Sequence, residues 1–259
     1  MSYCFIDKTV SKLFPFRSEA NLKNFTFPET EEENGIGKFL LERKELVTQF
    51  TDEFMGNNFS SYYFRAPADS GKSVFLNLIG RELQLRGETV YIIEHSGMLN
   101  EIKEQDLVNI ENKLLSGKRL YLLVDEVHEN KHSPLWNYIL KKSRLIVAIG
   151  VGIPDLTGAS PQFAKKHNPH TLLLQERDID EKTINYFANL VKTEDTTKTK
   201  AVLFDLLSYS GGHTFPFLKI AEYVCQSYRE ECLGKDIVSL ICNRVCVILW
   251  SQMVFTTNL

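Results

Sequence analysis

The sequence predicts a three-layer α/β/α fold, in which helices cover both faces of a parallel β-sheet, followed by a helical region. Short apolar runs alternate with amphipathic stretches between residues 62 and 174, and strands that alternate with helices form parallel sheets. From residue 178 the helical periodicity continues without strand signals. The 259 residues, 43% hydrophobic and 24% charged, are typical of globular proteins and suffice for one large domain with an appendage.

The individual elements follow from the spacing of the apolar residues. Residues 1–37 mix aromatic and polar side chains and end in an acidic run before Gly35, so we expect an N-terminal extension and linker. Alternating or continuous apolar runs predict strands, and a period near 3.6 predicts helices. The predicted strands are 62–66, 89–94, 119–125, 144–150 and 171–174, and the predicted helices are 38–57, 72–86, 100–116 and 136–142.

Two domains are expected from this order of elements. Strand signals end near residue 176, so residues 38–176 are expected to form the α/β core and residues 177–259 a helical subdomain. The apolar stretch 237–255 favours a packed helix over a membrane span, because polar residues are costly in hydrocarbon. The residues that interrupt it are Asn243, Arg244, Ser251 and Gln252. A shortened C-terminus and a closing helix are both compatible with this ending.

Composition limits the classes of function. The net charge of -3 gives no overall attraction to nucleic acid or to an anionic membrane, although a local basic patch remains open. No positive cluster precedes an apolar segment at the start, so an intracellular protein without a membrane partner is expected. The five cysteines include no two facing CxxC-like pairs, which favours buried reduced thiols over a zinc cluster.

A phosphate-binding loop is predicted where the first core strand gives way to a helix. Backbone N–H groups of such a loop and the first helical turn converge on phosphates. Gly71 would allow close backbone approach, Lys72 would reach the β- and γ-phosphates, and Ser73 would offer its hydroxyl to Mg²⁺. The expected contact residues are Ala66, Pro67, Ala68, Asp69, Ser70, Gly71, Lys72, Ser73 and Val74.

Ala66 departs from the usual form of this loop, which begins with glycine. Alanine is the smallest replacement and leaves the Gly-Lys-Ser end intact, so the departure bears on nucleotide affinity more than on the fold. The alternative interpretation is an ordinary strand-turn-helix junction, since Gly-Lys-Ser alone is weak evidence.

Two adjacent carboxylates end the predicted strand 119–125 and its apolar run. Asp125 at the carboxyl end of a buried strand is suited to hold Mg²⁺, directly or through water. Glu126 is suited to act as the base that polarises an attacking water. A strand that merely ends in two solvated acids is the alternative. A helix-strand-helix unit between the loop and these acids predicts an additional strand between the loop strand and the acidic strand.

The segment His128-Glu-Asn-Lys-His132 matches the HExxH pattern of zinc proteases. Zinc chemistry needs both imidazoles on one helical face, together with a third ligand and an open position. Here the pattern follows a strand end by two residues and runs into Ser133-Pro134, which favours a loop. A zinc hydrolase is therefore the least favoured function.

Further segments resemble an AAA/STAND-type NTPase, and more closely the NTPase region of the Crinkler effector family of oomycetes and fungi. Beyond the phosphate loop and the Asp125-Glu126 strand, the resemblance rests on three segments and covers about residues 39–224. These are Val147-Ala-Ile-Gly-Val-Gly-Ile-Pro154, Gly158-Ala-Ser-Pro-Gln-Phe163 and Gly211-Gly-His-Thr-Phe-Pro-Phe217.

The resemblance implies phosphate binding by Gly71, Lys72 and Ser73, Mg²⁺ binding by Ser73 and Asp125, and water activation by Glu126. Related proteins often place a polar sensor at the end of the fourth strand. That position is Gly150 here, so no sensor is assigned. His213 remains open between a role near the nucleotide and membership of a turn and helix cap that follow Gly211-Gly212.

Family membership also implies features that the sequence leaves open. Crinkler-like proteins commonly join a header and this NTPase to a C-terminal effector domain, for which these 259 residues leave no room. The family implies delivery into a host cell and its nucleus, with an unidentified macromolecular partner there. Oligomeric state and the choice between ATP and GTP stay open.

Two functions are favoured. The first is a slow Mg²⁺-dependent ATPase whose hydrolysis resets a conformational switch, with Lys72 and Glu126 as catalytic residues. The second is a nucleotide-regulated binding module without significant turnover, which Ala66 and the unassigned sensor favour.

Overall fold

The computed structural model of the chain describes residues 14–15, 40–56, 61–67, 70–94, 102–114, 118–127, 138–139, 145–152, 165–167, 172–191 and 193–230. The chain divides into two compact units. We call Met1–Thr26 with Glu42–Leu172 the sheet unit, and Phe27–Leu41 with Leu173–Leu259 the helical unit.

A six-stranded sheet forms the centre of the sheet unit, in the order β1-β3-β4-β5-β2-β6. All neighbouring strands are parallel except for the edge pair β1 and β3. Strand β5 separates β2 from β4, so the additional strand that we expected between the loop strand and the acidic strand is present. The predicted fold class is confirmed. The strands are β1 (Phe14–Pro15), β2 (Ser61–Arg65), β3 (Thr89–Ile93), β4 (Leu120–Val124), β5 (Ile146–Gly152) and β6 (Lys165–His167).

Helices cover both faces of the sheet. The α-helices in the described part of this unit are α1 (Lys44–Gly56), α2 (Lys72–Leu85) and α3 (Glu104–Glu111). On one face, Phe64 of β2 packs edge-to-face against Phe50 of α1 and Phe75 of α2, with ring centroids 5.0 and 5.4 Å apart. On the other face, Tyr63 joins a buried cluster with residues of α3, β3 and β4. Consecutive residues of β2 therefore pack against the helices on opposite faces of the sheet.

Among the described residues, the helical unit contains three helices, α4 (Glu181–Leu190), α5 (Thr196–Tyr209) and α6 (Thr214–Glu230). Aspartates cap two of them. Asp180 Oδ1 accepts a hydrogen bond from Thr183 N at 2.8 Å, and Asp195 Oδ1 accepts one from Lys198 N at 3.0 Å. The apolar faces of the three helices share one core, formed mainly by leucine, isoleucine and phenylalanine.

A glycine turn joins α5 to α6. Gly211 and Gly212 have φ of 59° and 77°, a left-handed conformation that glycine adopts without a Cβ penalty. Gly212 N donates to Leu207 O at 3.2 Å, and Gly212 O accepts from Leu174 N at 2.7 Å. His213 follows directly before α6, and its carbonyl accepts from Phe217 N at 3.0 Å. The structure shows the turn that leads into α6, and a role of His213 near the nucleotide stays a prediction.

One predicted strand is absent from the sheet, and two strands of the sheet were not predicted. Residues 172–174 are not in the sheet, because Leu172 O accepts from Arg43 Nη1 at 2.8 Å and Leu174 N is bonded to Gly212 O. Their apolar character reflects burial, and the strand beside β2 is β6. The extension also contains a strand, since Phe14–Pro15 pairs antiparallel with β3 at the sheet edge, where proline is tolerated.

Element boundaries differ by a few residues from those predicted. The first helix begins at Lys44 instead of residue 38, because Arg43 has φ of 46° and cannot continue an α-helix. Strand β5 extends to Gly152, two residues beyond the predicted end. The predicted features at 128–132, 153–163 and 237–255, and most of 136–142, lie outside the described residues. Among the helices that the structure describes, none has the length and hydropathy needed to cross a membrane.

The glycine turn generates a paired prediction on stability. Gly211→Ala introduces left-handed strain of about 1–2 kcal/mol, since its Cβ would approach only His213 Cδ2 at 3.8 Å. Gly212→Ala adds a steric clash, because its Cβ would lie 2.8 Å from Leu174 O. We expect Gly212→Ala to lower the free energy of unfolding by about 1–3 kcal/mol more than Gly211→Ala, measured by denaturant titration. Equal losses would contradict this packing.

Candidate functional site

The loop after β2 is attached to the end of β5. Ala66, which begins the loop, is fully buried, and its N–H donates to Gly152 O at 3.1 Å. Gly71 ends the loop with φ of 82° and directly precedes α2. A left-handed residue at this point favours glycine and turns the chain sharply into the helix. The loop therefore lies at the carboxyl edge of the sheet, where ligands bind in parallel α/β sheets.

Hydrogen bonds within the loop converge on one carbonyl group. Pro67 O accepts from Ser70 Oγ at 2.8 Å and from Lys72 Nζ at 2.5 Å. Lys72 thus lies folded over its own loop, with its ammonium group where the backbone turns. Ala68 and Asp69 lie outside the described residues, and Val74 lies half-buried in the first turn of α2.

The acidic end of β4 has a tight and strained geometry. Asp125 N donates to Ile93 O at 3.0 Å, which extends the pairing with β3 by one residue. Glu126 then has φ of 50°, an uncommon conformation for a residue with a side chain, and its N–H donates to Asp125 Oδ1 at 2.9 Å. The Asp125 side chain is half-buried while Glu126 is exposed. The two carboxylates therefore occupy different environments.

The electrostatics of Asp125 connect this strand end with the phosphate loop. Burial raises the pKa of Asp125, and the negative charge of Glu126 raises it further. The nearby Ser73 side chain, the hydrogen bond from the N–H of Glu126 and the charge of Lys72 oppose this increase in pKa. Ser73 and Asp125, which come from α2 and the end of β4, thus lie near each other, with Lys72 and Glu126 close by.

The donor set fits magnesium better than zinc. A serine hydroxyl and a carboxylate are hard oxygen donors, and Mg²⁺ commonly takes one or two protein ligands while keeping several waters. No group of three or more histidine, cysteine, aspartate or glutamate side chains that could hold a metal occurs among the described residues. His128 and His132 lie outside those residues.

The sequence analysis missed the connection between β5 and the phosphate loop. Strand β5 ends in Gly150-Val-Gly152, and its last carbonyl group accepts the hydrogen bond from Ala66. The paired glycines were a signal that side chains are excluded at this edge, although their partner in the sheet was not readable from the sequence. The end of β5 therefore belongs to the site through its backbone.

Solved structures with a similar backbone course include three assemblies. The replication initiator DnaA bound to AMPPCP and single-stranded DNA is 14% identical, with a TM-score of 0.45, over 83% of this chain and 69% of that chain. S. cerevisiae Hsp104 in complex with casein is 10% identical, with a TM-score of 0.48, over 86% of this chain and 42% of that chain. Drosophila ORC bound to DNA is 12% identical, with a TM-score of 0.47, over 92% of this chain and 68% of that chain.

This chain spans less than half of the Hsp104 chain that it resembles. At these identities and TM-scores the similarity is one of backbone course and carries no conclusion about activity. No protein-family model matches the chain, and no curated protein matches it by sequence.

The raised pKa of Asp125 predicts how stability depends on pH in the absence of nucleotide and metal. Between the ordinary and the raised pKa the folded state holds a proton that the unfolded state has lost, so stability falls as pH rises through this window. Asp125→Asn removes this contribution. We expect the free energy of unfolding of the parent, relative to that of Asp125→Asn, to decrease as pH rises from below 3.8, measured by denaturant titration across pH. A difference that is constant or increases with pH would contradict the burial of this carboxyl group.

Proposed function

We propose that this chain binds ATP or a related nucleoside triphosphate with Mg²⁺ on the loop Ala66–Ser73, and hydrolyses it slowly. The observation that carries the proposal is that the loop with Lys72 and Ser73 lies at the same carboxyl edge of the sheet as Asp125 and Glu126. Ser73 and Lys72 are close enough to lower the pKa of Asp125. The loop follows β2 and the two carboxylates follow β4, and these strands are separated in the sheet by β5.

Phosphate binding would rest on the backbone and on Lys72. The first N–H groups of α2 have no partner within the helix, and the helix dipole favours an anion at this end. Gly71 has the conformation that turns these groups toward the loop. An arriving phosphate would compete with Pro67 O for the Lys72 ammonium group, and a charged acceptor forms the stronger hydrogen bond.

Metal binding would use two oxygen donors that lie near each other. Ser73 Oγ and the Asp125 carboxylate would hold Mg²⁺, which neutralises charge on the phosphates. The half-buried Asp125 has an elevated pKa in the chain alone, and a divalent cation would favour its ionised form.

Hydrolysis would use Glu126. It is exposed at the carboxyl edge, one residue beyond Asp125, and the left-handed turn directs it away from the strand. A carboxylate in this position can polarise a water opposite the terminal phosphate. Residues 38–176 would then be the nucleotide-binding core, and residues 177–259 the helical subdomain that moves with the nucleotide state.

The second candidate is a nucleotide-regulated binding module with little turnover. Strand β5 ends in glycines and contributes no polar side chain to the site, and Ala66 replaces the usual glycine of the loop. A Crinkler-like effector role, with a nuclear partner in a host cell and an oligomeric active form, is compatible with either candidate. The zinc-hydrolase alternative rests on His128 and His132 alone.

The role of Lys72 predicts a selective loss of affinity. Lys72→Ala should weaken triphosphate binding more than diphosphate binding, because the cation would face the β- and γ-phosphates. Lys118→Ala is the matched control, since Lys118 lies before β4 at the opposite edge, bonded to Gly87 O and Glu88. Calorimetric titration with ATP, ADP and AMP checks this. Equal weakening for all three nucleotides in a folded Lys72→Ala protein would count against the assignment.

The role of Glu126 predicts a loss of turnover without a loss of binding. Glu126→Gln keeps the shape and removes the base, so ATP hydrolysis should fall about 10²- to 10⁴-fold while ATP affinity persists. Glu94→Gln is the control, because Glu94 is exposed just after β3 at the same edge. Phosphate release under single-turnover conditions measures the rate. Unchanged turnover in Glu126→Gln refutes the catalytic role, and a parent that binds without hydrolysing supports the binding module.

A further inference from the structure

On one face of strand β5, the residues become smaller toward the candidate site. On the face toward α2 it carries Val147, Ile149 and Val151. On the opposite face the residues are Ile146, Ala148, Gly150 and Gly152, in order toward the carboxyl edge. Ile146 and Ala148 belong to the buried cluster on that face. The sequence of decreasing size leaves a hollow on the sheet surface where β5 ends.

The phenol ring of Tyr63 fills this hollow. Tyr63 pairs with Gly150 in the parallel register, yet its ring reaches Gly152, two residues further toward the edge. A methyl group at position 152 would overlap Tyr63 Oη and lie 3.2 Å from Cε2 and Cζ. The ring is fully buried, so it cannot swing aside. Tyr63 therefore leans along the strand and brings its hydroxyl group to the end of β5.

This hydroxyl group lies beside the end of β5, the strand between the two parts of the proposed site. The phosphate loop follows β2, and Asp125 and Glu126 follow β4, with β5 between the two strands. A water between Glu126 and a phosphate on the loop must therefore lie beyond the end of β5. Gly152, beside the Tyr63 hydroxyl, also accepts the hydrogen bond from the first residue of the loop. Phenylalanine would fill the same hollow without the cost of burying a polar group.

We propose that Tyr63 is a positioning residue of the nucleotide site. Its hydroxyl group, beside Gly152, holds the end of β5 in place and so fixes the start of the phosphate loop relative to the end of β4. It acts through the Gly152 and Ala66 backbone and does not itself contact the reacting atoms. This inference rests on the proposed function.

Tyr63→Phe tests the inference, with Tyr62→Phe as the matched control. Tyr62 is the preceding residue, is equally buried and packs on the opposite face against Phe54, 4.5 Å between ring centroids. We expect Tyr63→Phe to lower kcat for ATP about 10-fold or more with KM changed less than about 3-fold, since misplacement of reacting groups affects the transition state most. Tyr62→Phe should leave both constants near those of the parent.

The outcomes separate this inference from the proposed function. If the Tyr63 hydroxyl group has only a structural role, Tyr63→Phe will have a lower unfolding midpoint than the parent but the same kcat. That result would overturn the inference. If the parent binds ATP without hydrolysing it, the ratio of ADP to non-hydrolysable triphosphate dissociation constants is measured instead. A decrease of this ratio in Tyr63→Phe alone supports the inference, and an unchanged ratio overturns it. A parent that binds no nucleotide refutes the proposed function and this inference together.

Discussion

The proximity of Ser73 to Asp125 is the constraint on which the rest of the site depends. The two residues follow β2 and β4, which are separated by β5, so their side chains can approach each other only across the end of the intervening strand. Burying the Asp125 carboxyl group costs free energy, as its raised pKa shows. The Ser73 hydroxyl, the Glu126 N–H and the Lys72 charge offset part of this cost. A carboxyl group and a hydroxyl group that lie near each other provide the oxygen ligands that a hard cation prefers.

Close packing at the same edge of the sheet explains the glycine that ends β5. A Cβ at position 152 is excluded by the phenol group of Tyr63. The left-handed residues Gly71 and Glu126 bracket the site on either side of β5. Glycine adopts this conformation at little cost, whereas Glu126 stores backbone strain, and such strain persists where the surroundings fix the chain. The strained residue is the proposed base.

Local signals allowed the two ends of the site to be predicted from the sequence. Gly71-Lys72-Ser73 after an apolar strand and Asp125-Glu126 at the end of another are contiguous patterns, and the alternation of elements gave the fold class. The parts that depend on pairing between distant strands were not predictable. These include the Ala66–Gly152 hydrogen bond, the position of β6 and the reach of Tyr63. Residues 172–174 misled because burial in a core and burial in a sheet leave the same apolar pattern.

The central claim is that the loop Ala66–Ser73 binds a triphosphate through its backbone. The most direct measurement is the change in backbone amide chemical shifts of the full chain on titration with a non-hydrolysable ATP analogue and Mg²⁺. Our account predicts the largest saturable shifts at Gly71, Lys72 and Ser73, with a second group at Asp125 and Glu126 that requires Mg²⁺. Saturable shifts that avoid these five residues, or no shifts at millimolar analogue, would contradict it.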